Sequence, residues 1–294
     1  MKRTIIIMAA VLLPALISAQ SDSLKLMGPC MIDDLRKAPY ADWFAENYDG
    51  YAPNPGVVER LKGENFDETH VTIFFGTWCG DSRREVPRFL KTLEAISFPL
   101  EQCKIIAIGD TDPYFRSAPG HEEVGRHIYR VPTFIISRDD EELGRIVEYP
   151  AVSLERDLLD IVQESSYIPN YPAYLIVGEW LDAGILHDSN VSYRGLANQL
   201  RHLTASASEL NSLANTLLRR EKTDPHAISM ILRINCNLYP NVYWTYTKLA
   251  ELLSNNEDKH DEAIEILQSG MENIKDPADI ARMQELLETI MDKM

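Results

Sequence analysis

Hydrophobic residues follow two different rhythms along the chain, and the rhythm changes near residue 165. Between residues 40 and 165, short apolar runs of strand length alternate with segments in which apolar residues recur at helical spacing. The runs predict strands over residues 71–75, 104–108, 131–136 and 143–148. Helical spacing predicts a helix over residues 82–97, where Pro87 indicates a kink or a late first turn.

The order of these elements predicts the class of the first domain. Two strands joined by a helical crossover, followed by an antiparallel hairpin and a closing helix, are typical of a three-layer α/β domain. We therefore predict a central mixed sheet flanked by helices over residues 40–165. A brief helix is predicted over residues 122–129, and residues 20–39 show no clear period and are predicted to be an extended or loosely ordered lead-in.

Beyond Pro169 and Pro172 the apolar spacing is helical throughout. We predict a linker and first helix over residues 166–194 and an all-α domain over residues 195–294. The rhythm of helix pairs resembles a degenerate tetratricopeptide array, with fewer than three clean repeats visible. A plain helical bundle fits the pattern equally well.

The first residues are typical of an export signal. Lys2 and Arg3 precede an apolar run over residues 5–17, which is too short to span a bilayer, and small residues at Ser18 and Ala19 suit cleavage. Residues 1–19 are therefore predicted to be a signal peptide, with an uncleaved anchor as the alternative. We expect an exported protein of the periplasm or cell envelope, with no membrane span after cleavage because no later stretch is long enough.

Composition narrows the range of partners. The chain has 294 residues, with 29 Lys and Arg against 45 Asp and Glu, and its formal net charge of −16 argues against a nucleic-acid partner. The four cysteines lack the spacing of zinc ligands and form no C-x-x-C pair. His121 and His127 have no ligand-spaced companions and are interpreted as solvated or capping residues. No metal and no cofactor is predicted.

Cys79 is the cysteine whose surroundings favour chemistry. It follows a predicted buried strand and precedes a predicted helix, so free backbone N–H groups and the positive end of the helix dipole favour its thiolate. Arg83 and Arg84 add to this effect and Asp81 opposes it. The sequence therefore indicates that Cys79 is a nucleophile.

Two motifs carry a family resemblance. Trp78-Cys79-Gly80-Asp81-Ser82, after a Phe-Phe strand, resembles the thioredoxin active site W-C-G-P-C, and Arg130-Val131-Pro132-Thr133-Phe134 is similar to the cis-proline landmark of that family. The resemblance covers roughly residues 40–165. It is nearest to the exported thioredoxin-like proteins of Bacteroidetes-type bacteria, which carry the phrase G-T-W-C-G-D-S-[KR]-R-E-V-P-R-F almost unchanged.

The resemblance implies roles for the motif residues. Cys79 would attack a disulfide, and a groove for a partner chain would be formed by Trp78, Gly80, Asp81, Val131 and Pro132, with a cis Val131–Pro132 bond. Ser82 stands where the family has its resolving cysteine. A hydroxyl cannot release a mixed disulfide, so Cys79 would wait for an external thiol, although Ser82 can donate a hydrogen bond to the thiolate. The apolar Ile73, where thioredoxins usually place a buried acid, agrees with the loss of the second cysteine.

The other cysteines are poor candidates for a resolving thiol. Cys103 begins a strand predicted to run parallel to residues 71–75, so a strand length of about 17–20 Å should separate it from Cys79. A disulfide needs Cα atoms about 4.4–6.8 Å apart. Cys236 has no local signature, and Cys30 is an alternative only if a flexible lead-in brings it to Cys79.

The sequence thus predicts monothiol thiol–disulfide exchange with proteins or low-molecular-weight thiols and disulfides as partners. The helical region would supply docking of a protein partner or dimerisation. The alternative is a redox-inactive binding module, which holds an extended peptide near Trp78 and Pro132 and serves as a scaffold in a cell-envelope complex. A peroxiredoxin is less consistent with the sequence, because the P-x-x-x-T-x-x-C context is absent around Cys79.

Overall fold

The computed structural model describes residues 25–219 and 224–294. The predicted signal peptide, residues 1–19, lies outside the described residues. In the two described ranges, no helix combines the length and apolar character needed to cross a membrane.

Five strands form one mixed sheet at the centre of the first domain. They are β1 (Gly28–Cys30), β2 (Thr69–Phe75), β3 (Cys103–Ala107), β4 (Thr133–Arg138) and β5 (Glu141–Val147). Their order in the sheet is β1-β3-β2-β4-β5, and β2 and β3 are parallel while the other neighbours are antiparallel. The predicted parallel pair and terminal hairpin are therefore confirmed, and the domain is α/β.

One face of this sheet carries the helices of the domain. These are α1 (Ile32–Leu35), α2 (Ala41–Asp49), α3 (Pro55–Leu61), α4 (Gly80–Ala95) and α5 (Leu154–Val162). Alternate residues of β2, such as Ile73 and Phe75, share a core with them, and the rings of Phe89 and Phe134 lie 4.5 Å apart. Helix α4 begins earlier than predicted, so Pro87 lies inside the helix instead of at a late first turn.

The opposite face is covered in a different way. Phe74, Ile106 and Ile135 pack there against a turn-rich segment that includes Ala118 and Ile128. The helix predicted over residues 122–129 is wrong, because the chain makes turns there. Positive φ angles of 58° at His121, 72° at Gly125 and 52° at His127 interrupt any helix. A turn-rich segment thus takes the place of the helices expected in the third layer.

The sequence predicts an extended or loosely ordered lead-in over residues 20–39, and the described part of this segment is more ordered than that prediction. Gly28 and Cys30 lie opposite Ala107 and Ile105 in an antiparallel pair, and Leu35 of α1 is fully buried. A strand of three residues is too short to show a period in the sequence. Its formation depends on the edge of β3.

The described residues beyond 165 form an all-α region, as predicted. Its helices are α6 (Pro172–Asp182), α7 (Tyr193–Leu200), α8 (Ser208–Arg219), α9 (Pro225–Leu238), α10 (Tyr243–Leu253), α11 (His260–Met271) and α12 (Pro277–Met291). From α8 onward each helix packs against the next. Asp224 and Asp276 cap α9 and α12, and each cap is followed by a proline at the first helical position, which starts these helices sharply.

The helical region packs directly against the sheet domain. Tyr129 and Val147 are buried in the same core as Tyr174 of α6, and the rings of Tyr129 and Tyr174 meet edge to face at 5.5 Å. Gly178 of α6 leaves room for His127, because a Cβ there would lie 2.6 Å from Nδ1 of the imidazole. The interpretation of His127 as a solvated or capping residue is therefore wrong: it packs at this junction, and burial lowers its pKa.

Candidate functional site

Cys79 lies between the end of β2 and the start of α4. It is the N-cap residue of α4, with extended backbone, and its carbonyl accepts the N–H of Arg83 at 3.0 Å. Its own N–H donates to the carbonyl of Gly76 at 3.0 Å, and the residue is half-buried. The thiol therefore lies at the positive end of a helix of 16 residues.

The second motif meets the first at this point. The thiol of Cys79 donates a hydrogen bond to the carbonyl of Val131, with a distance of 3.2 Å between sulfur and oxygen. Thr133 pairs with Phe74, so the ladder between β2 and β4 brings the preceding residues to Cys79. The Val131–Pro132 peptide bond is cis, as predicted. Two motifs more than 50 residues apart in the chain thus form one site.

Trp78 forms a fixed wall beside the thiol. Its Nε1 donates to the carbonyl of Ile108 at 2.9 Å. Its ring lies against the backbone of Gly76, where a Cβ would be 2.4 Å from an indole carbon. The guanidinium carbon of Arg116 lies 4.4 Å from the centre of the Trp78 ring. The indole is therefore held by a hydrogen bond, by close packing and by a cation–π contact.

Arg116 is a site residue that sequence reasoning missed. Burial lowers the pKa of its guanidinium, whereas the charge of a Cys79 thiolate acts in the opposite direction, so the two groups interact electrostatically. Arg116 belongs to a turn-rich segment with no apolar period, and its residue type alone does not distinguish it from other arginines. The electrostatic interaction with Cys79 depends on how that segment folds over the sheet.

The residues after Cys79 differ from their predicted roles. Ser82 is fully buried, and its hydroxyl accepts a hydrogen bond from the N–H of Gly76 at 3.1 Å. Within the described part of the chain, the Cys79 sulfur is hydrogen-bonded to the carbonyl of Val131 and not, as predicted, to Ser82. Arg84 is paired with Asp81 at 2.8 Å, so it is not directed to the thiol. Gly80 is exposed and leaves open space beside Cys79.

The other three thiols lie in surroundings that suppress chemistry. Burial raises the pKa values of Cys30, Cys103 and Cys236 to about 12 each, and all four cysteines are free. Cys103 lies opposite Val71, at the far end of β2 from Cys79, as predicted. The alternative in which Cys30 reaches Cys79 on a flexible lead-in is not supported, because β1 fixes Cys30 beside β3.

Arg130 links the site to the helical region. Its Nη1 donates to Oε1 of Glu148 at 2.8 Å, and its guanidinium lies 4.0 Å from the centre of the Tyr171 ring. Its Nη2 also donates to the carbonyl of Ser208, the first residue of α8, at 3.0 Å. The residue that precedes Val131 is therefore held in part by the helices.

Among residues 25–219 and 224–294, no cluster of three or more His, Cys, Asp or Glu side chains could hold a metal ion. Comparison of the chain with protein-family models, with curated proteins and with solved structures gives no match.

Proposed function

We propose that the chain is an exported thioredoxin-like protein that carries out thiol–disulfide exchange through the single thiol of Cys79. The observation that carries this proposal is the contrast between the cysteines. Cys79 is half-buried at a helix N-terminus and its thiol contacts the carbonyl of Val131, whereas burial raises the pKa values of Cys30, Cys103 and Cys236. Such a contrast favours one reactive sulfur over three unreactive ones.

The proposed reaction has two exchange steps. The Cys79 thiolate attacks one sulfur of a substrate disulfide, and the other substrate sulfur leaves as a thiolate. An external thiolate, from a protein or a low-molecular-weight thiol, then attacks the substrate sulfur of the mixed disulfide and frees Cys79. Ser82 has no sulfur with which to perform this second step. The Cys79 sulfur, which attacks in the first step and leaves in the second, lies at the N-terminus of α4 and interacts electrostatically with Arg116.

The surroundings of Cys79 suit an extended partner segment. Trp78 lies on one side of the thiol, the carbonyl of the buried Val131 lies on another, and Gly80 leaves the approach open. Asp81, paired with Arg84, lies at the rim. The helical region, which contacts Arg130, would dock a protein partner beside this groove.

Trapping of the mixed disulfide tests the proposal. Treatment of the folded protein with a low-molecular-weight disulfide such as cystine should give one adduct, located on Cys79 by peptide mass spectrometry. Cys79→Ala should abolish the adduct, and the matched variants Cys30→Ala and Cys103→Ala should keep it. An absence of adduct on Cys79 in the folded protein would instead support the redox-inactive binding module.

Three further variants, one of them a control, test the roles of the neighbouring residues. Arg116→Gln should slow adduct formation by roughly threefold to tenfold, because a cation near the thiolate is lost. Arg84→Gln is the control and should have little effect, because the cation it removes is paired with Asp81.

Ser82→Cys should allow release of the adduct without an added thiol. Release from the unaltered protein without an added thiol would contradict the monothiol mechanism.

A further inference from the structure

A second concave site lies in the helical region, away from Cys79. It is a pocket of about 340 Å³ among α7, α9, α10 and α11. This volume falls within the range of small-molecule sites, which is about 300–1,000 Å³. The proposed redox function makes no use of this pocket.

The charge of the pocket is opposite to that of the chain. The chain as a whole carries 45 acidic residues against 29 basic ones. The described residues that line the pocket include Arg194 and Arg233 but no Asp or Glu. Both guanidiniums lie over the Tyr193 ring, at 5.6 and 6.0 Å from its centre. Arg233 also pairs with Glu262 outside the lining, which fixes this arginine in place and offsets part of its charge, so the exposed Arg194 contributes most of the positive charge. The pocket therefore suits an anionic group.

The opposite wall is held in place before any ligand arrives. The hydroxyl of Tyr246 donates to the carbonyl of Pro240 at 3.0 Å, and the amide of Asn273 donates to the carbonyl of Ser269 at 3.0 Å. Gly270 allows the Tyr246 ring to lie against α11, because a Cβ there would be 2.6 Å from the ring. A wall fixed in this way costs little conformational entropy on binding.

The lining also carries apolar surface beside polar side chains such as Asn237. Ile266 is half-buried, and together with the Tyr246 ring it supplies this apolar surface. We propose that this pocket binds a small organic anion, in which a carboxylate contacts Arg194 and Arg233 and an apolar body contacts Ile266 and the Tyr246 ring. Apolar walls with a few convergent polar groups are typical of such sites.

Titration calorimetry on the full chain tests this proposal with octanoate, neutral octanamide and inorganic phosphate as probes. Octanoate should bind at one site at least about tenfold more tightly than either of the others, because octanamide lacks the charge and phosphate lacks the apolar body. N-acetylleucine distinguishes the sources of such a carboxylate: tighter binding than octanoate assigns it to a chain terminus, and weaker binding assigns it to a free acid.

A matched pair of arginine variants locates the site. Arg194→Gln should weaken octanoate binding by about fivefold or more, and this exposed position should not affect folding. Arg282→Gln, in α12 and outside the lining, is the control and should leave the affinity unchanged. No saturable binding of octanoate, equal binding of octanamide or phosphate, or an unchanged affinity in Arg194→Gln would each overturn the proposal.

Discussion

Trp78 and Cys79 are adjacent in the chain, yet different interactions hold each of them in place. The position of Cys79 follows from backbone geometry, because its carbonyl begins the hydrogen bonding of α4. The position of Trp78 follows from a missing side chain, because its ring occupies the space beside Gly76. The wall of the site therefore depends on a glycine that lies outside the reactive motif.

Gly76→Ala should destabilise the protein by about 1–3 kcal/mol, because the added Cβ would overlap the indole ring and force it from the Ile108 carbonyl. Gly80→Ala is the matched control: its Cβ has no atom within 4 Å, and alanine suits a helix better than glycine. Urea unfolding of the two variants against the unaltered chain measures the difference. Equal free energies of unfolding for both variants would contradict the packing role of Gly76.

At the scale of elements, a buried carboxylate joins α5 to the start of α3. Glu155 of α5 accepts the hydroxyl of Tyr51 at 2.6 Å and the backbone N–H of Asn54 at 3.1 Å. Asn54 is also the N-cap residue of α3, so one acid fixes the start of a second helix. Burial acts to raise the pKa of Glu155, but these hydrogen bonds outweigh it and leave the pKa below its ordinary value.

Glu155→Gln should lower the free energy of unfolding by about 1–2 kcal/mol at pH 7, because charge-assisted hydrogen bonds are lost. A carboxyl with a lowered pKa in the folded state contributes stability above its ordinary value of about 4.3, and this contribution is lost as the pH falls through the folded value. The gap between the two proteins should therefore close at acid pH. Urea titrations between pH 7 and pH 3 measure it.

The exposed residue Glu164, which pairs with Arg138, provides the control for that experiment. Glu164→Gln should change stability by no more than about 0.5 kcal/mol at any pH, as is usual for surface ion pairs. A gap for Glu155→Gln that stays constant from pH 7 to pH 3 would contradict the carboxylate's role.

The sequence predicts those elements in which the spacing of apolar residues within the element itself reflects which side is buried. Strands β2 to β4 are mostly apolar because both faces of the sheet are covered, and α4 shows one apolar side. Strand β1 and the segment around Arg116 could not be predicted in this way. Their conformations depend on pairing with β3 and on positive φ angles at His121 and His127, which are uncommon outside glycine and leave no trace in the spacing of apolar residues.

At the scale of the whole molecule, Arg130 is the residue through which the two regions meet beside the site. Its ion pair with Glu148 lies within the sheet domain, whereas its contacts with Tyr171 and Ser208 reach the helical region. Val131 follows Arg130 directly in the chain, and its carbonyl accepts a hydrogen bond from the Cys79 thiol. The helices are therefore linked to the reactive sulfur through only two residues, Arg130 and Val131. Thiol reactivity should therefore respond to changes at this junction.

Arg130→Gln should lower the free energy of unfolding by about 2–3 kcal/mol, because it leaves Glu148 mostly buried without its cation. It should also change the rate of adduct formation at Cys79, since the Val131 carbonyl loses the support of the helices. Arg138→Gln removes an equivalent charge from a more exposed ion pair in the same domain, and it should cost no more than about 0.5 kcal/mol and leave the rate unchanged. If the two variants react with cystine at the same rate, the helical region does not act on the thiol through Arg130, and its contact there serves stability alone.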